Sequence, residues 1–129
     1  MIDGHNDVRE GRGLKPLAYD PVLARMAASH AEDMASHETL SHDGPTGGSF
    51  ASRARRNGLG TAAENIGVDG RVGDMMDRWL GSSRHASNIL SVDFDSIGVG
   101  MEAGPDGSRY WCVCFAKLAD NKFEASLSV

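Results

Sequence analysis

Histidine and carboxylate side chains can hold a divalent metal or move a proton, and His42, Glu64 and His85 are among the five histidines and 18 acidic residues of this sequence. Imidazole nitrogen and carboxylate oxygen are common zinc donors, and two histidines with one carboxylate leave a coordination position open for water or another ligand. The glutamate can also serve from behind, orienting a histidine without touching the ion. A set without metal is the competing reading, because histidine and carboxylate hydrogen-bond well and tie loops together. Ser82 stands three residues before His85. It reads either as a nucleophile beside a base or, more simply, as the cap of the turn that carries His85. No nucleophile elbow occurs. Nor do the three residues show the i, i+4 spacing of a zinc-protease helix, so only a tertiary fold can bring them together.

Other candidates have plainer readings. His30 falls on an apolar helix face and reads as a core histidine, His37 as solvated, and His5, beside Asn6 and Arg9, as structural. Asn65 and Asn88 suit local backbone ties. Met26, Met34, Met75 and Met76 recur at helical spacing and read as core fillers. Cys112 and Cys114 are two apart in a strand-like run, so both point to one face. A bridge closing so short a loop is strained, and buried free thiols are expected. Arg53, Arg55 and Arg56 form the one basic cluster and read as a solvated helix face.

The elements that must position these residues follow from pattern. Asp20-Pro21 is a helix start, and Leu23, Met26, Ala27, Ala31 and Met34 then mark one face of a long helix. A short helix is expected from His5 to Glu10 and a basic one from Phe50 to Asn57. Thr61 to Gly67 reads as extended chain or loop. Val72, Met75, Met76, Trp79 and Leu80 form the stripe of another helix, and Ser82 begins a further helical turn. Ile97, Val99 and Met101 alternate with glycine as a strand does. Gly104-Pro105-Asp106-Gly107 is a turn, and Arg109 to Phe115 is the partner strand. Helices first and a hairpin last predict an α+β fold, an antiparallel sheet covered by helices. The 129 residues suit one domain, residues 1–129.

A net charge of −5 argues against a nucleic-acid partner, whose phosphates require a basic patch. No run of about 18 apolar residues occurs to span a membrane. Met1-Ile2-Asp3-Gly4-His5 lacks the charged and apolar regions of a signal peptide, which fits either a cytoplasmic protein or a mature form.

Several segments, in order, resemble the CAP superfamily of cysteine-rich secretory, antigen 5 and pathogenesis-related proteins in its bacterial form. They are His5-Asn6 with Arg9 and Gly13 to Leu17, then Leu40-Ser41-His42, then Ala63-Glu64-Asn65-Ile66. Trp79 to Ser82, His85 to Leu90, Phe94 to Gly100, Tyr110-Trp111 and Phe115 follow. The resemblance runs from about His5 to Lys117. It implies a three-layer α-β-α sandwich with a central antiparallel sheet, and a cleft holding His42, Glu64 and His85. Ser82 stands where many members carry a second glutamate. The resemblance further implies a secreted or periplasmic binding module, with zinc or another divalent metal as cofactor and a lipid, a sterol or an envelope protein as partner. A metal-dependent hydrolase or protease, and a ligand-free structural domain of the cell envelope, are the alternatives.

Overall fold

A computed structural model of the protein describes residues 1–118. The elements are α1 (Ile2–Gly11), β1 (Ala18–Tyr19), α2 (Pro21–Ser36), α3 (Phe50–Arg56), β2 (Ala62–Val68), α4 (Val72–Leu80), α5 (Ser83–Ile89), β3 (Ser96–Ala103) and β4 (Arg109–Ala116). Asp20 caps α2 as expected: its Oδ2 accepts from the Val22 and Leu23 amides, each at 3.1 Å. Ser49 caps α3 through the Ser52 amide.

The strands form one sheet in the order β1-β3-β4-β2. β4 runs antiparallel to both β3 and β2, and the β3–β4 hairpin turns at Gly104 to Gly107, as the turn chemistry predicts. The sheet is not wholly antiparallel, however, because β1 runs parallel to β3. The chain between them carries α2 across one face, and such a crossover returns it in the same direction.

Helices cover both faces, giving the expected α+β sandwich. On one face Leu23, Met26, Ala27, Ala31 and Met34 of α2 pack on Ile66, Tyr110, Cys112 and Cys114. On the other, Met75, Met76 and Trp79 of α4 join Leu17, Ile89, Ile97, Trp111, Val113 and Phe115. Trp79 is 2% exposed, and its indole N–H donates to the Ile66 carbonyl at 2.9 Å. The glycines alternating along β3 have a packing reason. A Cβ on Gly98 or Gly100 would collide with the α2 backbone at Ala24 or Ala28, so only glycine lets helix and strand approach this closely.

Candidate functional site

β2 is an outer strand, and successive side chains leave it on opposite faces. Glu64 therefore points toward the α2 side and Asn65 toward the α5 side. Glu64 is buried, with its side chain 1% exposed. Arg53 of α3 meets its charge with two hydrogen bonds, Nη1 to Oε1 at 2.8 Å and Nη2 to Oε2 at 3.2 Å. His42 Nδ1 bonds Oε2 at 2.8 Å, and the Cys112 thiol donates to Oε1 at 3.3 Å. Burial alone would raise the Glu64 pKa. The hydrogen bonds from His42 and Arg53, with the Arg53 charge, overcome it and hold the carboxyl below its usual range.

This geometry corrects the reading of the basic cluster. Arg53 is buried rather than solvated, and its Nη2 also donates to the His42 carbonyl at 2.9 Å. One arginine thus fixes both the carboxylate and the loop bearing the first histidine. In the sequence it is one of three arginines in four residues, and nothing local singles it out.

His85 approaches from α5. Ser82 holds the N-cap position, but its side chain does not cap the helix. Its hydroxyl bonds His85 Nδ1 at 2.9 Å instead. Asn65 Nδ2 donates to the His85 carbonyl, and Asn88 Nδ2 donates to Asn65 Oδ1, which docks α5 against β2. Burial, followed by the neighbouring charges of His42 and Arg84, lowers the His85 pKa. An open cleft of about 600 Å³ has His42, Glu64, His85, Phe50, Arg84 and Asn88 among its lining residues. Its walls come from both faces of the sheet, so it lies along the outer edge of β2. In both histidines Nδ1 is engaged by the protein, and Nε2 has no hydrogen-bond partner among the described residues.

The expected ligand set of His42, His85 and Glu64 is not the compact one. Among the described residues, the metal-capable group whose donor atoms lie within 4.8 Å of one another is Glu64, Cys112 and Cys114. That group is buried, and its carboxylate is already bonded by Arg53. Burial, with Cys114 and Glu64 as neighbours, pushes the Cys112 thiol well above its ordinary pKa and disfavours the thiolate a metal requires. The Glu64 carboxylate, engaged on both oxygens, fits the orienting role better than that of direct ligand.

His30 is a core residue, as its helix face implies. Its Nε2 donates to the Ser41 carbonyl at 2.8 Å, beside the His42 loop, and its Nδ1 is left without a partner. Asp33, unremarked in the sequence, accepts from the Thr46 and Gly47 amides and the Thr46 hydroxyl, and so anchors the turn between His42 and α3.

The profile of the cysteine-rich secretory protein family, CAP, matches residues 2–115. An uncharacterized protein of Bacillus subtilis, YkwD, is 35% identical over 108 residues, covering 81% of this chain and 42% of its own length. The uncharacterized membrane protein YlbC of the same organism is 32% identical over 107 residues, covering 79% of this chain and 30% of its own. The chain thus spans less than half the length of these curated relatives. Among solved structures, an extracellular SCP-domain protein of Bacillus anthracis is 32% identical with a TM-score of 0.73, over 88% of this chain and 37% of that one. An outer surface protein of Borrelia burgdorferi shares the fold, with a TM-score of 0.82 over 90% of this chain and 88% of that one, at 20% identity. No helix of the described residues is long and apolar enough to cross a membrane.

Proposed function

The chain belongs to the cysteine-rich secretory protein (CAP) family, and from that membership we propose that residues 1–129 form an exported binding module whose cleft takes a divalent metal ion at His42 and His85. The observation that carries the metal reading is the matched anchoring of the two rings. Glu64 holds Nδ1 of one and Ser82 holds Nδ1 of the other, so Nε2 is the nitrogen each histidine keeps for a ligand. Metal-bound histidines ordinarily pass their other ring nitrogen to such an orienting group. The lowered His85 pKa keeps that ring neutral, the form that ligates. A bound ion would supply a Lewis-acidic centre with positions left for water or a ligand group. Export is supported by the extracellular relative from Bacillus anthracis.

Calorimetric titration with zinc at neutral pH tests the metal. The wild type binds, His42→Ala and His85→Ala abolish binding, and Ser82→Ala weakens it about tenfold by freeing the His85 ring. A wild type that binds no better than the double histidine variant ends the metal reading. Fractionation of the producing cells tests export: recovery in the cytoplasm alone refutes it. A hydrolytic reading has one observation in its favour, the 2.9 Å spacing of Ser82 Oγ and His85 Nδ1, which suits a nucleophile and its base. Turnover of fluorogenic peptides or esters, lost in Ser82→Ala, is the outcome that would support it.

A further inference from the structure

In an antiparallel ladder each residue turns its N–H and C=O to the same side, and the side alternates along the strand. Four bonds fix this phase on β2. The Lys117 amide donates to the Thr61 carbonyl, and the Asp69 amide to the Arg109 carbonyl, so odd-numbered residues face β4. From the opposite side, Trp79 Nε1 donates to the Ile66 carbonyl at 2.9 Å and Arg78 Nη1 to the Val68 carbonyl at 2.7 Å. Ala62, Glu64, Ile66 and Val68 therefore turn their main-chain groups to the outer edge.

On one half of that edge the outward carbonyls are already bonded. α4 covers Ile66 and Val68 through Trp79 and Arg78. At Ala62 and Glu64, which line the cleft, the outward N–H and C=O groups have no partner among the described residues. Glu64 is 6% exposed although its side chain is 1% exposed, so the surface it shows to the cleft belongs to its main chain. Unpaired edge groups are a template for another strand, and proteins usually blunt them with charge, proline or a covering element. Here the strand is covered up to the mouth of the cleft and bare within it.

The charge of the cleft selects the occupant. The Glu64 carboxylate is neutralised by Arg53. Arg84, also lining the cleft, has no ion-pair partner among the described residues. We propose that the cleft binds an extended peptide by strand addition along Ala62 to Glu64, with an acidic side chain of the peptide set against Arg84. Main-chain bonds would supply affinity, and the cleft walls selectivity, as in other strand-addition sites. This deepens the binding-module reading and rests on it, but it does not depend on the metal.

The test titrates ¹⁵N-labelled protein in EDTA with a pool of capped pentapeptides, acetyl-X-Val-Glu-Val-X-amide, where X is every residue but Cys and Pro. The Ala62 and Glu64 amides shift and exchange more slowly with solvent when the pool binds. Ala62→Pro deletes one edge donor where an outer strand tolerates proline, and it weakens binding about fivefold to tenfold. Arg84→Glu, an exposed change that spares the fold, reverses the preference toward a pool with Lys in place of Glu. The proposal is overturned if neither edge amide responds to the pool, or if Arg84→Glu and a folded Ala62→Pro both bind like the wild type. It is also overturned if phosphatidylglycerol vesicles shift those amides and the peptides do not. Zinc titration of the same variants separates the two readings, because Ala62→Pro weakens peptide binding and keeps zinc binding, and the wild type keeps its peptide response in EDTA.

Discussion

A carboxylate as buried as Glu64 persists in a protein interior only if its charge is met, and Arg53 meets it with two hydrogen bonds. Removing one partner strands the other. Arg53→Met is expected to cost about 3–5 kcal/mol in urea denaturation, and the double variant Arg53→Met, Glu64→Met to recover most of that loss. The pair also sets an acid limit. Because the folded-state pKa of Glu64 is lowered, its contribution is complete above the ordinary glutamate range and is lost as pH falls through the lowered value. The double variant should lose less stability than the wild type between about pH 5 and pH 3. His42, Glu64 and His85 could be nominated because the segments that carry them resemble those of the CAP family in the same order; residue type alone does not single them out among five histidines and 18 acidic residues. Arg53 could not. Which of three neighbouring arginines turns inward is set by the phase of a seven-residue helix and by a carboxylate eleven residues away.

Helices with a strong apolar stripe were legible, as was extended chain around Leu17 and Tyr19, but the parallel pairing of that stretch with β3 was not. The α4 stripe buries Met75, Met76 and Trp79 as the spacing predicts, and Trp79→Ala should cost about 3–5 kcal/mol by denaturant unfolding. β1 is two residues long, too short for any alternation, and its parallel partner lies far along the chain. The opening helix carries a less visible constraint. His5 of α1 is buried between Trp79 and Phe115, with ring centroids 6.1 and 5.7 Å away. Its Nδ1 donates to the Met1 carbonyl, so Nε2 is a bare, unpartnered nitrogen. Burial first, then the charges of the N-terminus and Arg9, lower its pKa despite that hydrogen bond. A histidine kept neutral in the folded state binds its proton more readily when unfolded. Its contribution is therefore present above the unfolded value of about 6.5 and lost as pH falls below it. His30 and His85 act in the same direction. His5→Phe should flatten the decline in melting temperature between pH 7 and pH 5, and an unchanged slope would show that His5 does not titrate in this way.

The described residues form two apolar layers on one sheet, and β4 belongs to both. Every residue of β4 from Tyr110 to Ala116 is buried, with Cys112 and Cys114 under α2 and Trp111, Val113 and Phe115 under the opposite helices. Two independent reporters result from this alternation. The thiols sense the α2 layer, and the two tryptophans, Trp79 and Trp111, sense the other. The thiols share a 3.9 Å hydrogen bond and no disulfide, so denatured, unreduced protein should titrate with two free thiols per chain. In the native state both are buried and a thiol reagent should find neither. Opening one layer removes the packing from half of β4 and leaves a strand that the other layer cannot hold alone. Thiol reactivity and tryptophan fluorescence should therefore change at one denaturant midpoint, as a two-state domain requires. Thiols that react while the fluorescence is still native would show that α2 opens by itself and that the sheet does not couple its two faces.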